Sequence, residues 1–185
     1  MSPIAAGQPA FDLLKSIREA TAGNAAPLPS KESTQAVWQG IGFQLGGIRL
    51  TAAMGDIEEI LKLPKLTVLP VVKSWMLGVA NVRGRLIPVI DLHEYFGLAP
   101  TLPRAQWRVL VVEHQDVVAG LLVEQSLGIQ HFVDDCFEPA GDSELGELKP
   151  YISGAFRQGG RIFYQLDIQS ILQAERFFDV AETTN

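Results

Sequence analysis

The chain is built around one stretch, Gly78-Val-Ala-Asn-Val-Arg-Gly-Arg-Leu-Ile-Pro-Val-Ile-Asp-Leu-His-Glu-Tyr-Phe-Gly97, in which two apolar runs are joined by a short polar turn. Gly84 can adopt the positive φ that a tight hairpin turn requires, and Asn81 also tolerates turn geometry. Two β-branched runs around such a turn predict a β-hairpin. Asp91 stands at a helix N-cap position and Gly97 at a C-cap position, so a short helix is expected between them.

Two features of this hairpin have more than one interpretation. Pro88 has no N–H to donate to a strand ladder, so the second strand is either an edge strand or is interrupted there. Arg83 and Arg85 flank Gly84 and bring two cations to an exposed tip. These arginines either keep an ordinary scaffold soluble or take part in binding, and their spacing alone leaves both interpretations open.

Composition places the chain among globular proteins. It has 185 residues, of which 47% are hydrophobic and 19% charged, and this is enough for one domain or two small ones. A net charge of −6 argues against binding to nucleic acid or to an anionic membrane surface. Residues 104–167 hold ten acidic and five basic side chains, whereas 41–98 are nearly balanced. The asymmetry suits different partners on different faces, and chance is an equal alternative.

The sequence also predicts a cellular compartment. Cys136 is the single cysteine, which fits a reducing environment. The first six residues lack the basic and apolar regions of a secretory signal. No run reaches the roughly 18 apolar residues that cross a membrane. We therefore expect a cytoplasmic protein without direct membrane insertion.

The remaining pattern is mainly β. An amphipathic helix over Phe11–Ala20 and a linker over 21–32 are expected within an N-terminal extension, 1–37. Two sets of about five short strands follow, separated near Pro100–Pro103. Asp167 can cap a final helix at about 168–175, and 176–185 form a tail. Many short strands with Gly and Pro turns indicate two small barrels, and a single sandwich also fits this pattern.

No residue pattern points to catalysis. Cys136 follows two aspartates, whose charge disfavours a reactive thiolate. His93, His114 and His131 lack the spacing of metal ligands, and neither a nucleophile elbow nor a phosphate loop is present. We therefore predict no catalytic residue, no cofactor and no metal site, and a protein that is not an enzyme.

The central stretch, together with the Trp75-Met-Leu-Gly-Val79 that leads into it, resembles the signature of the CheW-like family. These are adaptor domains of bacterial chemosensory arrays, also found at the end of the CheA kinase. The likeness extends from about Gly42 to Leu172. It implies two SH3-like five-stranded β-barrels, the first at about 42–98 and the second at about 104–167, within a CheW-like domain at 38–175. Short helices are expected at the N-terminus, after the first barrel and at the C-terminus.

The resemblance also implies partners and partner-binding residues. A groove between the barrels would take the cytoplasmic tip of a chemoreceptor, and the end surfaces of the first barrel would join the regulatory domain of a CheA-type histidine kinase. Such alternating contacts can close into rings or arrays. The residues expected to contribute are Ile57, Glu59, Trp75, Gly78, Val79, Asn81, Arg83 and Arg85.

Within the family, the N-terminal segment and stretches such as Val111–Leu121 resemble the adaptors of type IV pilus chemosensory systems. This implies a PilJ-like receptor, a ChpA-like kinase, control of twitching motility and a position at the inner face of the membrane through the receptor. An adaptor for flagellar chemotaxis is the alternative within the family. A small-ligand-binding regulatory domain is the alternative from another class.

Overall fold

A computed structural model describes residues 37–133, 136–139, 141 and 145–181. The predicted N-terminal helix and linker, and the last four residues of the predicted tail, lie outside the described residues. Within the part that is described, no helix has both the length and the apolar character needed to cross a membrane.

Strands dominate the architecture, as predicted, and they pair into two six-stranded sheets. In spatial order, sheet one consists of β10 (Phe137–Glu138), β11 (Ile152–Gln158), β12 (Arg161–Leu166), β2 (Ile48–Ala53), β1 (Val37–Leu45) and β9 (Gln125–Val133). Sheet two consists of β3 (Ile57–Lys62), β7 (Arg108–His114), β8 (Val117–Val123), β6 (Arg85–Asp91), β5 (Met76–Val82) and β4 (Leu66–Thr67). Short 3₁₀ turns lie at Met54–Asp56, Arg104–Gln106 and Gly146–Tyr151.

The grouping of strands differs from the two consecutive sets that the sequence predicted. β1 and β2 pair with strands from the C-terminal half, and sheet two takes all the strands between residues 57 and 123. Each sheet also has six strands rather than five. The physical reason is that hairpins are encoded locally, whereas the pairing of β1 with β9 and of β2 with β12 is not.

The central hairpin and its helix are confirmed. β5 and β6 pair antiparallel, and helix α1 (Leu92–Phe96) follows directly. The Asp91 side chain accepts a hydrogen bond from the backbone N–H of His93, and Gly97 ends the helix at φ 63°. β6 is not an edge strand, because it also pairs in parallel with β8. That second ladder begins at Val89, one residue after Pro88, so the proline interrupts the pairing on that side.

Two short helices lie near the C-terminal end of the described residues, where one was predicted. Helix α2 (Ile168–Gln173) begins at the predicted cap, where the Asp167 side chain accepts a hydrogen bond from the backbone N–H of Ser170. Helix α3 (Glu175–Phe178) follows, so ordered structure continues into the predicted tail.

The main core joins the two sheets and the helices. Phe43 and Leu50 from sheet one, Leu110 and Leu121 from sheet two, and Ile171 from α2 are all buried in the same cluster. The opposite face of sheet two encloses a second cluster of buried side chains, namely Ala80, Ile87, Val89, Trp107, Val109, Val111 and Leu122. Sheet two is therefore buried on both faces, which holds the β5–β6 hairpin in a fixed position.

Candidate protein-binding site

The tip of the β5–β6 hairpin is a two-residue turn. Arg83 (φ 51°) and Gly84 (φ 85°) both have positive φ, as a type I′ turn requires, and Val82 pairs with Arg85 across it. The Asn81 side chain accepts a hydrogen bond from the backbone N–H of Gly84 at 2.8 Å. The Arg83 side chain therefore projects from a turn that a hydrogen bond closes.

An ion pair connects this tip to the edge strand β3. Arg83 Nη2 lies 2.8 Å from Glu59 Oε1, although the two residues are 24 positions apart. The Arg83 side chain remains 78% exposed, whereas that of Glu59 is 27% exposed. An ion pair this exposed contributes only about 0–1 kcal/mol to folding, so its main effect is to orient the guanidinium group. The structure thus brings together two of the residues expected from the sequence.

A second cluster of charges surrounds Arg85. Its Nη1 atom lies 3.0 Å from Glu113 Oε2 and 3.4 Å from Glu58 Oε2. The hydrogen bond and negative charge of Glu113 raise the pKa of Arg85 above its ordinary value. A hollow of about 30 Å³ lies among these ion pairs, which is room for about one water molecule. The surface is therefore a closely spaced patch of alternating charge.

Gly78 and Val79 shape the other side of the hairpin. A Cβ atom at Gly78 would lie 2.4 Å from the Thr67 carbonyl oxygen, so glycine is what allows β4 to approach β5. Val79 pairs with Thr67 on one side and Pro88 on the other, and it is partly buried. These two residues present little side-chain area to a partner. Their contribution is to set the position of the neighbouring strands.

Ile57 and Trp75 lie in the core. Ile57 is 8% exposed and Trp75 is 4% exposed. Trp75 packs edge-on against Tyr95, with ring centroids 5.3 Å apart. The structure gives both residues a place beneath the surface rather than on it, where they support β3 and β5.

Sequence reasoning missed two residues of this surface. Glu58 and Glu113 pair with Arg85. Leu86 is 74% exposed at the same hairpin, but it faces the opposite side of β6 from Arg85 and Ile87, because side chains alternate along a strand. No local signal existed for Glu113, because its position depends on how β7 and β8 pair within sheet two.

Buried polar residues hold the far end of the hairpin. His93 Nδ1 lies 2.9 Å from Asp91 Oδ1, and His93 Nε2 lies 3.4 Å from Glu124 Oε1. Glu124 accepts hydrogen bonds from the backbone N–H and the hydroxyl of Thr101. Burial raises the pKa of the Glu124 carboxyl, but the hydrogen bonds from Thr101 and the charge of His93 outweigh it, so the pKa lies below its ordinary value.

Comparison with known proteins identifies the fold and the family. Residues 39–176 match the model of the CheW-like domain, which is well over half of the chain. The chain belongs to the CheW-like family. CheW-like proteins act as scaffolds or adaptors, and that is the functional class of this chain.

Individual relatives support the same assignment. The chain is 41% identical to protein PilI of Pseudomonas aeruginosa over 94% of its own length and 97% of that protein. It is 29% identical to the chemotaxis protein CheW of Helicobacter pylori, over 89% of its length and 96% of that protein. The crystal structure of the scaffolding protein TtCheW from Thermoanaerobacter tengcongensis superposes with a TM-score of 0.67 at 21% identity, covering 76% of this chain and 95% of that one. The last comparison shows that the two proteins share the CheW-like fold.

Proposed function

We propose that this chain is a non-enzymatic adaptor that couples the cytoplasmic tip of a chemoreceptor to a CheA-type histidine kinase, in a system that controls type IV pili and twitching motility. The CheW-like fold and the 41% identity to PilI over nearly the full length of both chains support this proposal. The partners would be a PilJ-like receptor and a ChpA-like kinase. The adaptor would act in the cytoplasm, at the inner face of the membrane, through its receptor.

The observation that most supports the proposal is the exposed, ion-paired side chain of Arg83. Its guanidinium group is 78% exposed at the hairpin turn and is oriented by an ion pair with Glu59 at 2.8 Å. Arginine is enriched among the residues that dominate binding energy in interfaces. A side chain that is already oriented loses less conformational entropy when a partner covers it. The adjacent Arg85 extends the surface with a second cation.

Substitution of Arg83 tests the role of this surface. We expect Arg83→Ala to weaken binding to receptor-tip and kinase fragments by about 1–4 kcal/mol, as for a hot-spot arginine. Stability should change by less than about 1 kcal/mol, because the ion pair is exposed. Calorimetric titration measures the first quantity and urea unfolding the second.

Arg157→Ala is the matched control for this substitution. Arg157 lies on sheet one, is 59% exposed and lies 3.5 Å from Glu138. Its substitution therefore also removes an exposed ion pair. Its binding should equal that of the wild type. Unchanged binding of Arg83→Ala to both partners, or its unfolding, would contradict the proposed role of Arg83.

The motility output has one specific alternative. The similarity to the chemotaxis protein of Helicobacter pylori favours an adaptor for flagellar chemotaxis as the second candidate. Deletion of the gene should abolish surface twitching and leave swimming intact if the pilus assignment is right. A strain that twitches normally but swims without direction would support the flagellar alternative instead.

A further inference from the structure

Two arginines on sheet one stand apart from the others. Eight arginines lie in the described part of the chain, and six of them contact a carboxylate, a backbone carbonyl or an aromatic ring. Those six are Arg83, Arg85, Arg104, Arg108, Arg157 and Arg176. Arg49 and Arg161 have no such partner among the described residues.

These two arginines line the same cavity. Arg49 is the second residue of β2 and Arg161 is the first residue of β12, and the two strands pair in parallel through Leu50 and Tyr164. Parallel neighbours begin at the same end of a sheet, so the two strand starts lie side by side. A cavity of about 280 Å³ lies there, with both arginines and Tyr164 in its wall.

The two turns that lead into these strands also border the cavity. Gly47 (φ 80°) ends the turn before β2, and Gly160 (φ 74°) ends the turn before β12. A Cβ atom at Gly160 would meet no atom within 4 Å, so this side of the cavity is open. Ile48 and Ile162 add apolar side chains to the wall. The cavity therefore combines an open side, a few apolar side chains and two cations.

The chemistry of the cavity selects for an oxyanion. A guanidinium group presents a planar fork of N–H donors that matches a carboxylate or a phosphate. The Tyr164 hydroxyl can donate a further hydrogen bond. Two like charges that have no counter-charge among the described residues attract an anion, even in a chain with a net charge of −6. The volume suits a small anion or a single side chain, since drug-sized ligands occupy about 300–1,000 Å³.

We propose that Arg49 and Arg161 form an anion-binding site for a carboxylate or phosphate group. The group is carried either by a small dissolved anion or by an acidic side chain of a protein partner. The site lies on sheet one, whereas the β5–β6 hairpin lies on sheet two. It therefore gives the protein a second binding surface, and the inference does not depend on the receptor and kinase proposed above.

Nuclear magnetic resonance of the full-length, ¹⁵N-labelled chain at low ionic strength tests this site with two probes. The first probe is inorganic phosphate, and the second is a capped peptide with one glutamate between two isoleucines. We expect saturable shifts of the Gly47 and Gly160 amides and of the Arg49 and Arg161 Nε–H signals with at least one probe. Tighter binding of phosphate indicates a dissolved anion, and tighter binding of the peptide indicates a partner's side chain.

Three variants complete the experiment. Arg49→Gln and Arg161→Gln should each weaken binding about tenfold, as expected for the loss of one charge-assisted hydrogen bond. Arg157→Gln, which removes an exposed arginine of the adjacent strand β11, should bind as the wild type does. The proposal is wrong if neither probe causes saturable shifts in the wild type, or if the Arg49→Gln/Arg161→Gln double variant binds as tightly.

Discussion

Glu124 is a fully buried carboxylate whose environment favours its charged form. Its carboxylate accepts two hydrogen bonds from Thr101 and lies 3.4 Å from His93 Nε2. The pKa of Glu124 in the folded chain is therefore lower than the ordinary value of 4.5. In the unfolded chain this carboxyl takes up a proton at a higher pH than in the folded chain. It follows that Glu124 contributes stability above about pH 4.5 and that this contribution is lost as the pH falls through the folded pKa.

Glu124→Gln tests this linkage. The amide keeps a hydrogen-bond acceptor for Thr101 but cannot titrate. We expect the free energy of unfolding of the wild type to fall more steeply than that of the variant when the pH is lowered from about 6 to 3.5. Urea unfolding at several pH values measures both slopes. Parallel curves would show that Glu124 is not held in its charged form by the fold.

The close approach of strand β4 to strand β5 depends on one glycine, Gly78. Gly78 has φ 138°, and a Cβ atom there would lie 2.4 Å from the Thr67 carbonyl oxygen. We expect Gly78→Ala to destabilise the fold by about 2–4 kcal/mol, because both the backbone conformation and the strand contact must change. Thermal and urea unfolding measure this loss.

Gly84→Ala is the matched control, since Gly84 also has positive φ but no atom lies within 4 Å of its missing side chain. It should cost only about 1 kcal/mol, the backbone term alone. Equal losses in the two variants would mean that the contact between β4 and β5 does not constrain Gly78.

The elements that the sequence predicted best are those encoded by neighbouring residues. The turn at Gly84, the cap at Asp91 and the stop at Gly97 all appear in the structure as local chemistry requires. Arg83 and Glu59 were expected only as two separate candidates, since β3 pairs with β7 and no local signal places it near the hairpin tip. Glu113 could not be placed near Arg85 at all, because that contact depends on the order β7, β8 and β6 in sheet two.

On the scale of the whole molecule, the strands of the two sheets are interleaved along the chain. Sheet one needs β1 and β2 together with β9 to β12, and the main core takes side chains from both sheets. We therefore expect residues 1–102 and 103–185, expressed separately, to remain unfolded, and the full chain to unfold in a single transition. Circular dichroism of the two fragments and of the chain checks this. A folded fragment would favour the consecutive arrangement that the sequence suggested.

Long-range topology is what sequence reasoning failed to provide here. Hairpins such as β7–β8 and β11–β12 could be placed from turn residues, but the parallel pairs β2–β12 and β6–β8 join segments that no turn connects. Burial of Ile57 and Trp75 follows from the same long-range packing, which places their side chains beneath the proposed binding surface.

We propose that the hairpin surface lets one chain connect a receptor to a kinase. Co-sedimentation of a membrane-reconstituted receptor, the purified kinase and this protein tests this connection. With the wild type we expect the kinase to sediment with the receptor, and with Arg83→Glu we expect the kinase to stay in the supernatant while Arg157→Glu behaves as the wild type does. Kinase that sediments equally well with Arg83→Glu, or without this protein, would show that the hairpin does not make this connection.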